Sequence, residues 1–420
     1  MSLNFKHCVT VAIILLLLWS VVVTNAKTID VCKLCDHTTI RSGVEFASSG
    51  DTITIHQGVY KENELIINKP LTLIGKKESI LDGEKKGNIL LIDANYVNIM
   101  GLTFINVGSS YTEDFAAIKL RKTKYCRIEN NFLDNVFFGI VLEKSRQALI
   151  KGNQIKSNAK DEFNSGNGIH LWYCQNITID SNALYNLRDG IYLEFVDSST
   201  ITRNISKNNL RYGLHFMFSN YDVYSNNLFQ NNGAGVAVMF SKHIQMFQNT
   251  FTKNWGVASY GLLLKEINDA EISHNVFEEN TIGINVEGTN RINYFANDFK
   301  SNGWAVKIHG GCYLNNFKQN NFLYNTFDIS YNGKMNDNTF DNNYWSNYTG
   351  YDLNKDQIGD VPFRPVKLFS YVVNKTPETI ILLRSLFIDL INVSEKVSPI
   401  FTPDNLIDNQ PLMNIYRDKN

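Results

Sequence analysis

Three side chains with an affinity for soft metal ions recur at a regular spacing in the middle of the chain. His215 and Met217 are two residues apart, so on a β-strand both side chains leave the same face, about 7 Å apart. Met239 follows Met217 one repeat later, and stacked strands lie about 4.8 Å apart. Because imidazole and thioether groups suit Cu(I), we predict a copper site at these three residues. An apolar partner-binding patch would show the same pattern.

Two further residues extend this predicted face. His170 lies two repeats before His215 in the same column, with Tyr192 between them, and Glu194 precedes Met217 in the neighbouring column. His170 is too far from the methionines to share one ion with them without movement. We therefore predict His170 and Glu194 as secondary ligands or as contacts for a partner.

A Cys-x-x-Cys pair near the N-terminus, Cys32 and Cys35, has His37 close by and offers an alternative copper site. A local disulfide in an oxidising compartment would have the same spacing. Five cysteines follow residue 26, so at least one thiol is free or pairs with another chain. The sequence leaves both interpretations of the pair open.

Oxygen ligands alternate with other residues in one segment near the C-terminus: Asp352, Asn354, Asp356 and Asp360. This spacing is typical of calcium-binding loops. Gln357 stands where such loops usually have glycine, and Lys355 adds a positive charge. The alternative to a calcium site is a turn rich in Asn and Asp.

Paired carboxylates, which glycoside hydrolysis requires on one site, are not evident. The outward acidic residues, such as Glu194 and Glu287, are isolated from one another by column. A Ser/His/Asp arrangement is not evident either. We therefore predict that the protein is not an enzyme and has no catalytic residues. A carbohydrate-binding or carbohydrate-modifying protein, such as a lyase, hydrolase or epimerase, is the alternative.

The elements that must position these side chains belong to a repeat of about 22 residues. A column of small residues defines it: Ala117, Gly139, Gly168, Gly190, Gly213, Gly235, Gly261, Gly283 and Ala305. A second column lies eight residues before five of them: Asn131, Asn182, Asn227, Asn275 and Asn297. Two longer spacings place insertions at 158–167 and 255–260, where solenoids form loops.

Each repeat holds several short strand-like runs separated by Asn-rich turns. The chain contains 54 Asn and 7 Pro, which favours short strands and tight turns over helices. We predict an all-β, right-handed, single-stranded parallel β-helix with one coil per repeat. Residues one, three and five positions after each glycine should face inward, with an aromatic column at the edge: Tyr173, Phe195, Phe218 and Phe240.

Both ends of the chain differ from the repeat. Residues 1–26 have the basic start, apolar run and small-residue end of a cleaved secretory signal peptide, which predicts an exported, periplasmic protein. We assign residues 27–345 to the β-helix and 346–420 to a C-terminal region. In that region Thr376 and Pro377 should begin an apolar helix over about 377–391. An extended tail that docks on a partner should follow it.

The formal net charge of −1 shows no basic excess and so argues against nucleic-acid binding. Three stretches, 211–220, 232–241 and 343–362, closely resemble the NosD family, and the likeness covers essentially the whole mature chain.

This resemblance implies a repeat domain of the CASH or NosD type and a periplasmic role in denitrification. NosD proteins associate with an ATPase, NosF, and a permease, NosY, and so contact the membrane only through the permease. The complex supports maturation of the copper centres of nitrous oxide reductase, NosZ, with the lipoprotein NosL as copper donor. We therefore expect a copper-processing adaptor that works with an ABC transporter.

Overall fold

A computed structural model describes residues 26–110, 112–158, 160–332, 337–397 and 406–418. The predicted signal peptide lies outside this part of the chain except for Ala26. Three parallel sheets run side by side along one axis, and after the first strand each sheet takes every third strand of the chain. Each coil therefore contributes one strand to each sheet, at about 23 residues per coil. The predicted all-β parallel β-helix is confirmed.

Sheet 1 has 14 strands. They are β1 (Thr28–Val31), β2 (Thr52–Ile55), β5 (Thr72–Gly75), β8 (Asn98–Met100), β11 (Arg127–Glu129), β14 (Leu149–Lys151), β17 (Thr178–Asp180), β20 (Thr200–Thr202), β23 (Val223–Ser225), β26 (Gln245–Phe247), β29 (Asn268–Ser273), β32 (Asn290–Phe295), β35 (Asn316–Lys318) and β38 (Thr339–Asp341).

Sheet 2 has 13 strands. They are β3 (Gly58–Lys61), β6 (Ser79–Asp82), β9 (Thr103–Ile105), β12 (Phe132–Asp134), β15 (Gln154–Lys156), β18 (Ala183–Tyr185), β21 (Ile205–Lys207), β24 (Leu228–Gln230), β27 (Thr250–Thr252), β30 (Val276–Glu278), β33 (Asp298–Lys300), β36 (Asn321–Leu323) and β39 (Tyr344–Trp345).

Sheet 3 has 12 strands and carries the predicted copper ligands. They are β4 (Leu65–Ile67), β7 (Leu90–Ile92), β10 (Ala116–Arg121), β13 (Phe138–Glu143), β16 (Ile169–Trp172), β19 (Asp189–Glu194), β22 (Tyr212–Met217), β25 (Ala234–Met239), β28 (Leu262–Lys265), β31 (Ile282–Glu287), β34 (Trp304–His309) and β37 (Phe327–Asn332).

Helices occur only at the two ends of the described chain. Helix α1 (Ile40–Phe46) follows β1 and begins at Thr39, whose hydroxyl caps the Ser42 N–H. Near the C-terminus lie α2 (Leu368–Lys375), a 3₁₀ helix (Pro377–Leu382) and α3 (Leu386–Val397). We call residues 368–397 the helical arm. No helix in the described ranges has the length and apolar character needed to cross a bilayer.

The helical arm differs from the predicted single helix. Pro377 does begin a helical segment, but the Thr376 side chain makes no capping hydrogen bond and the segment is a short 3₁₀ helix. The α-helix begins nine residues later, at Leu386. Helix α2 was not predicted, because its eight residues lack a side-chain N-cap signal at Lys367.

The small-residue column exists because the backbones of successive coils approach closely there. A Cβ at Gly213 would lie 2.7 Å from the carbonyl oxygen of Gly235, closer than a side chain allows. Inside the coils, large side chains stack in register, as Phe251 does on Phe277 with ring centroids 4.6 Å apart. The interior is therefore a continuous column of flat apolar contacts.

Ten buried asparagines form a continuous hydrogen-bonded column through the turns between sheets 1 and 2, which we call the asparagine ladder: Asn131, Asn153, Asn182, Asn204, Asn227, Asn249, Asn275, Asn297, Asn320 and Asn343. In each of the first nine, the backbone N–H and the Nδ2 amide donate to the side-chain oxygen of the asparagine in the next coil. From Asn204 to Asn227 these distances are 2.9 and 3.1 Å. The amide also donates to a backbone carbonyl, as Asn227 Nδ2 does to Ile201 at 2.9 Å. The ladder thus satisfies buried turn groups in coil after coil.

The C-terminal tail completes this ladder. Asp408 Oδ2 accepts hydrogen bonds from Asn343 N at 3.0 Å, Asn343 Nδ2 at 3.1 Å and Trp345 Nε1 at 3.0 Å. Asp408 and Phe363 also exchange backbone hydrogen bonds, so the chain before the helical arm pairs with the chain after it. The described part of the predicted docking tail, 406–418, therefore lies against the last coils.

The predicted aromatic column at the inner edge is wrong. Tyr173, Phe195, Phe218 and Phe240 lie in the turn after each strand of sheet 3, with φ between 52° and 53°. This left-handed conformation ends the alternation of the strand, so the side chains turn outward. Their rings stack on one another at 4.5 to 5.2 Å, and three of the four are exposed.

Candidate copper-binding face

Two columns of side chains on the outer face of sheet 3 contain the predicted ligands. The register places His170, Tyr192 and His215 side by side in one column, followed by Ala237. In the neighbouring column Glu194, Met217 and Met239 are consecutive, followed by Lys265. Both predicted columns therefore occur in the structure, and the two methionines are direct neighbours across adjacent strands.

His215 is more enclosed than an outward position suggests. Its side chain is only 8% exposed, and its ring lies 5.1 Å from Tyr192 and 4.8 Å from Tyr212. Neither ring nitrogen has a hydrogen-bond partner within the described structure. Buried polar atoms are normally paired, so two unpaired nitrogens on one ring are an exception that needs an explanation.

Electrostatics keeps this imidazole neutral. Burial lowers the pKa of His215 to about 4, with Arg211 and Arg188 acting in the same direction and Asp189 opposing them. A neutral imidazole has a free lone pair, which is the form that binds metal ions. The orphaned ring nitrogens lie one column from the two methionines, and imidazole and thioether groups both suit a soft cation such as Cu(I).

The two secondary residues take different places. His170 lies against Tyr192 at 4.7 Å and Phe138 at 5.6 Å, and burial lowers its pKa to about 4 as well. Tyr192 separates it from His215, as expected. Glu194 accepts a hydrogen bond from the Tyr192 hydroxyl at 3.3 Å, so it anchors the tyrosine between the two histidines.

The residues that enclose His215 were not predicted as part of the site. Arg211 makes a two-point contact with the buried carboxylate of Asp189, and its guanidinium lies 5.1 Å from the Tyr212 ring. Tyr260 is hydrogen-bonded to Tyr212, and burial raises the pKa of Tyr260 above its usual range. The sequence signal for this ion pair is the position of both residues just before the glycine column, with Asp189 ahead of Gly190 and Arg211 ahead of Gly213.

Long loops flank these coils at the edge where the chain enters sheet 3. The predicted insertions occur as the connections 157–168 and 253–261, whereas residues 186–188 suffice between β18 and β19. The loops carry exposed apolar side chains at Phe163 and Trp255. A third long connection, 106–115, was not predicted.

The other predicted metal sites give different results. Cys32 and Cys35 form a disulfide. In the segment 352–360, Asp352 accepts backbone hydrogen bonds from Asp356 and Gln357, and Asp360 accepts one from Leu353. Across the described ranges, no three His, Cys, Asp or Glu residues are grouped as a metal site. Calcium binding at Asp352, Asn354, Asp356 and Asp360 stays a prediction.

The helical arm shares the outer face of sheet 3. Phe369 and Val373 pack with Trp304 and Phe327 of the last strands, and Asn374 donates to Ser330 at 2.7 Å. Four strand spacings, about 19 Å, separate β22 from β34. The arm nevertheless leaves a large apolar surface exposed: Ile380, Ile381, Leu382, Leu386, Phe387, Leu390 and Val393.

Comparison with known proteins identifies relatives of this chain. Residues 151–350 match the family described as "Periplasmic copper-binding protein (NosD)". A "Probable ABC transporter binding protein NosD" from Stutzerimonas stutzeri is 25% identical, over 85% of this chain and 86% of the relative. The predicted resemblance to NosD is confirmed. The NosD of Pseudomonas aeruginosa strain PAO1, with the same description, is 26% identical over 88% of this chain and 90% of the relative.

The solved structures that are similar to this chain show the fold alone. A family 28 exopolygalacturonase from Yersinia enterocolitica matches with a TM-score of 0.57, covering 76% of this chain and 78% of the enzyme, at 10% identity. The Dettilon tailspike protein matches equally well, with a TM-score of 0.57 over 73% of this chain and 68% of the tailspike, at 12% identity.

Proposed function

We propose that this protein is a non-enzymatic, periplasmic copper-processing adaptor that works with an ABC transporter to mature the copper centres of nitrous oxide reductase. The observation that carries the proposal is the pair of unpaired ring nitrogens of His215, next to Met217 and Met239. Below we call these three residues the His–Met cluster. The copper ion is the cargo.

The chemistry of the cluster suits capture followed by release. His215 is neutral over the whole range above its lowered pKa, so no proton must leave before Cu(I) binds. Thioethers bind Cu(I) but carry no charge, so the cluster holds the ion without a fixed anionic ligand. A donor such as NosL would supply the ion, and NosZ would receive it.

Enclosure of His215 limits access from solvent. Tyr260, near the end of the connection 253–261, is hydrogen-bonded to Tyr212, and Tyr212 packs on the imidazole. Copper entry therefore requires this aromatic contact to open. The exposed side chain of Trp255 places an apolar contact point for a docking protein at the tip of the same loop.

The helical arm is the attachment site that we propose for the permease NosY, which carries the ATPase NosF. Ile381 is 86% exposed and Leu386 74% exposed, whereas Ile388 on the opposite side is buried. Such a continuous apolar surface is typical of a binding interface. Because the arm packs on the strands that follow the His–Met cluster, movement of a bound permease would reach the same sheet.

Copper binding is tested by competition for Cu(I) against a chelator, using the mature protein. We expect His215→Ala, Met217→Leu and Met239→Leu each to weaken the affinity, with the largest loss at His215. His243→Ala serves as the matched control, because His243 is exposed and outside sheet 3. Unchanged affinity with normal copper loading of the reductase would contradict the cluster. Lost loading with unchanged affinity would reassign it as a docking surface.

Attachment to the permease is tested with surface substitutions instead of truncation. Truncation at Asn374 would remove Asp408 and open the asparagine ladder. The double substitution Ile381→Ser and Leu386→Ser should leave thermal unfolding unchanged and abolish co-purification with the permease. Retained co-purification would place the interface elsewhere.

The same preparations decide between this proposal and a carbohydrate-binding function. Isothermal titration with an acidic polysaccharide should give no binding heat. Binding to the polysaccharide together with an absence of Cu(I) binding would overturn the proposal.

A further inference from the structure

The Cys32–Cys35 disulfide lies on an exposed turn at the N-terminal end of the β-helix, between β1 and α1. The intervening side chains of Lys33 and Leu34 point into solvent, and Leu34 is 98% exposed. Both cysteines are partly exposed themselves. A thiol-bearing partner can therefore reach this disulfide without any part of the fold opening.

The turn holds its shape without help from the disulfide. Cys32 N donates to the carbonyl oxygen of His37 at 3.1 Å, and Val31 pairs with His37 as an isolated bridge. Thr39 then caps α1, whose side chains Ile40 and Val44 are buried. The stabilisation that a disulfide gives increases with the length of the loop it closes, and this one closes only the short loop of a Cys-x-x-Cys pair. The stability of the fold therefore does not explain why this disulfide is present.

The remaining thiols that follow the predicted signal peptide contrast with this pair. Cys126, Cys174 and Cys312 are buried and unpaired. Burial raises the pKa of Cys174 to about 11, and it also raises the pKa of Cys126. Since the thiolate is the reactive and metal-binding form, the raised pKa values make the thiols of Cys126 and Cys174 unreactive in the folded protein, and burial keeps Cys312 away from reagents.

We propose that Cys32 and Cys35 form a thiol–disulfide switch whose reduced form is a second Cu(I) site. The inference rests on the proposed function, because copper is the cargo in both. A partner dithiol attacks the disulfide, becomes a disulfide itself and leaves two thiols on Cys32 and Cys35. Cu(I) then displaces the two thiol protons and binds both thiolates. In the oxidised form neither sulfur has a thiolate to offer, so the site is closed.

This site is separate from the His–Met cluster. Seven strand spacings, roughly 34 Å, separate β1 from β20, which belongs to the coil that contains His215. One ion cannot contact both sites. His37 is not required as a ligand, and its ring packs on Phe46 with centroids 4.8 Å apart. The protein would therefore hold a redox-controlled copper site at one end and a redox-independent one in its middle.

The first measurement counts accessible thiols in the folded mature protein by alkylation and intact mass. The oxidised protein should take no label. After mild reduction, alkylation should label the Cys32 and Cys35 thiols alone. The three buried cysteines should react only after unfolding. Labelling of a buried cysteine before Cys32 and Cys35 would overturn the assignment.

The second measurement is an anaerobic Cu(I) titration against a competing chelator. Reduction of the wild-type protein should add one equivalent of bound Cu(I), and Cys32→Ser with Cys35→Ser should remove that equivalent. The double variant should keep the circular dichroism spectrum and the unfolding temperature of the reduced wild type. Equal copper stoichiometry in the oxidised and reduced wild type would overturn the inference without reference to any variant.

The His–Met cluster is titrated in the same series so that the two proposals fail separately. In His215→Ala the reduction-dependent equivalent should remain and the redox-independent one should be weakened. If His215→Ala lost the reduction-dependent equivalent, that copper would depend on the cluster and the switch would be contradicted. If the wild type gained no copper on reduction while its His215-dependent equivalent was present, the switch would fail and the proposed function would stand.

Discussion

The asparagine ladder and the outer face of sheet 3 treat buried polar groups in opposite ways. In the ladder, the side chain of Asn227 makes four hydrogen bonds, two as acceptor from Asn204 and two as donor. On the outer face, His215 is almost as buried and neither of its ring nitrogens has a partner within the described chain. The side chains of Asn227 and His215 lie in neighbouring coils of the β-helix.

This contrast separates the parts of the repeat that specify the fold from a part whose side chains do not support the backbone. Each ladder amide satisfies backbone groups of the turn, so its loss would leave several buried groups unpaired. The outer column contributes nothing comparable to the backbone, since the strands of sheet 3 are paired through their own ladder of hydrogen bonds. A side chain can change there without breaking the coil.

The largest effect should come from breaking the ladder at its centre. Asn227→Ala removes the acceptor of the Asn204 backbone N–H and of one hydrogen bond of the Asn204 amide, and it removes the donor to the Ile201 carbonyl, so we expect the free energy of unfolding to fall by about 3–4 kcal/mol. Denaturant unfolding measures this change. Asn98→Ala is the control, because Asn98 is half-buried and its side chain makes a single bond, to Thr72. Equal losses at both positions would remove the special role of the ladder.

A smaller effect is expected at the end of the ladder. Asp408→Ala removes the acceptor for Asn343 and Trp345, and should lower the free energy of unfolding by about 2–3 kcal/mol. Asp408→Asn keeps an oxygen towards the ladder and gives up only the hydrogen bond from Gln410, so its loss should be smaller. If both substitutions were neutral, the tail would not seal the stack.

The smallest effect at pH 7, and the only one of opposite sign, is expected at His215. His215→Phe removes two unpaired buried nitrogens and keeps an aromatic ring against Tyr192 and Tyr212. The copper-free variant should be more stable than the wild type by about 1 kcal/mol and should bind Cu(I) more weakly. Loss of stability on this substitution would mean that the imidazole serves the fold.

Lowering the pH should widen the difference in stability between the wild type and the His215→Phe variant. The pKa of His215 is lowered to about 4 in the folded state, below the ordinary value of 6.5, so the unfolded chain takes up the proton first. As the pH falls from about 6.5 to 4, the wild type should lose stability and the Phe variant should lose less. If the curves of stability against pH were parallel for the two proteins, the His215 imidazole would be exposed to water in the folded wild type.

Periodicity made the coil and the two outward columns predictable, because a strand repeats every two residues and a coil repeats at a nearly fixed length. The same reasoning found only half of the ladder. Asn153 and Asn249 were missed because the insertions 157–168 and 253–261 lie between each of them and the next glycine. The turn that holds each asparagine comes before its insertion and is undisturbed by it.

Other features depend on turns and long-range contacts, which the alternation of residues along a strand does not reveal. Phe218 and its neighbours turn outward because the chain enters a left-handed turn after each strand, a conformation that aromatic residues rarely adopt. The enclosure of His215 depends on Tyr260, which lies in an insertion and comes from another repeat. Asp408 joins the ladder from 65 residues beyond Asn343, at a distance where no local pattern connects them.

The backbone pairing of Phe363 with Asp408 brings together the two segments that connect the helical arm to the β-helix. These entry and exit strands are hydrogen-bonded to each other, at 2.8 and 2.9 Å, so the chain leaves the stack and returns to it at one point. The arm could therefore lengthen, shorten or be exchanged between relatives without shifting a single coil. The sequence of the arm and the geometry of the coils can consequently change independently within one polypeptide.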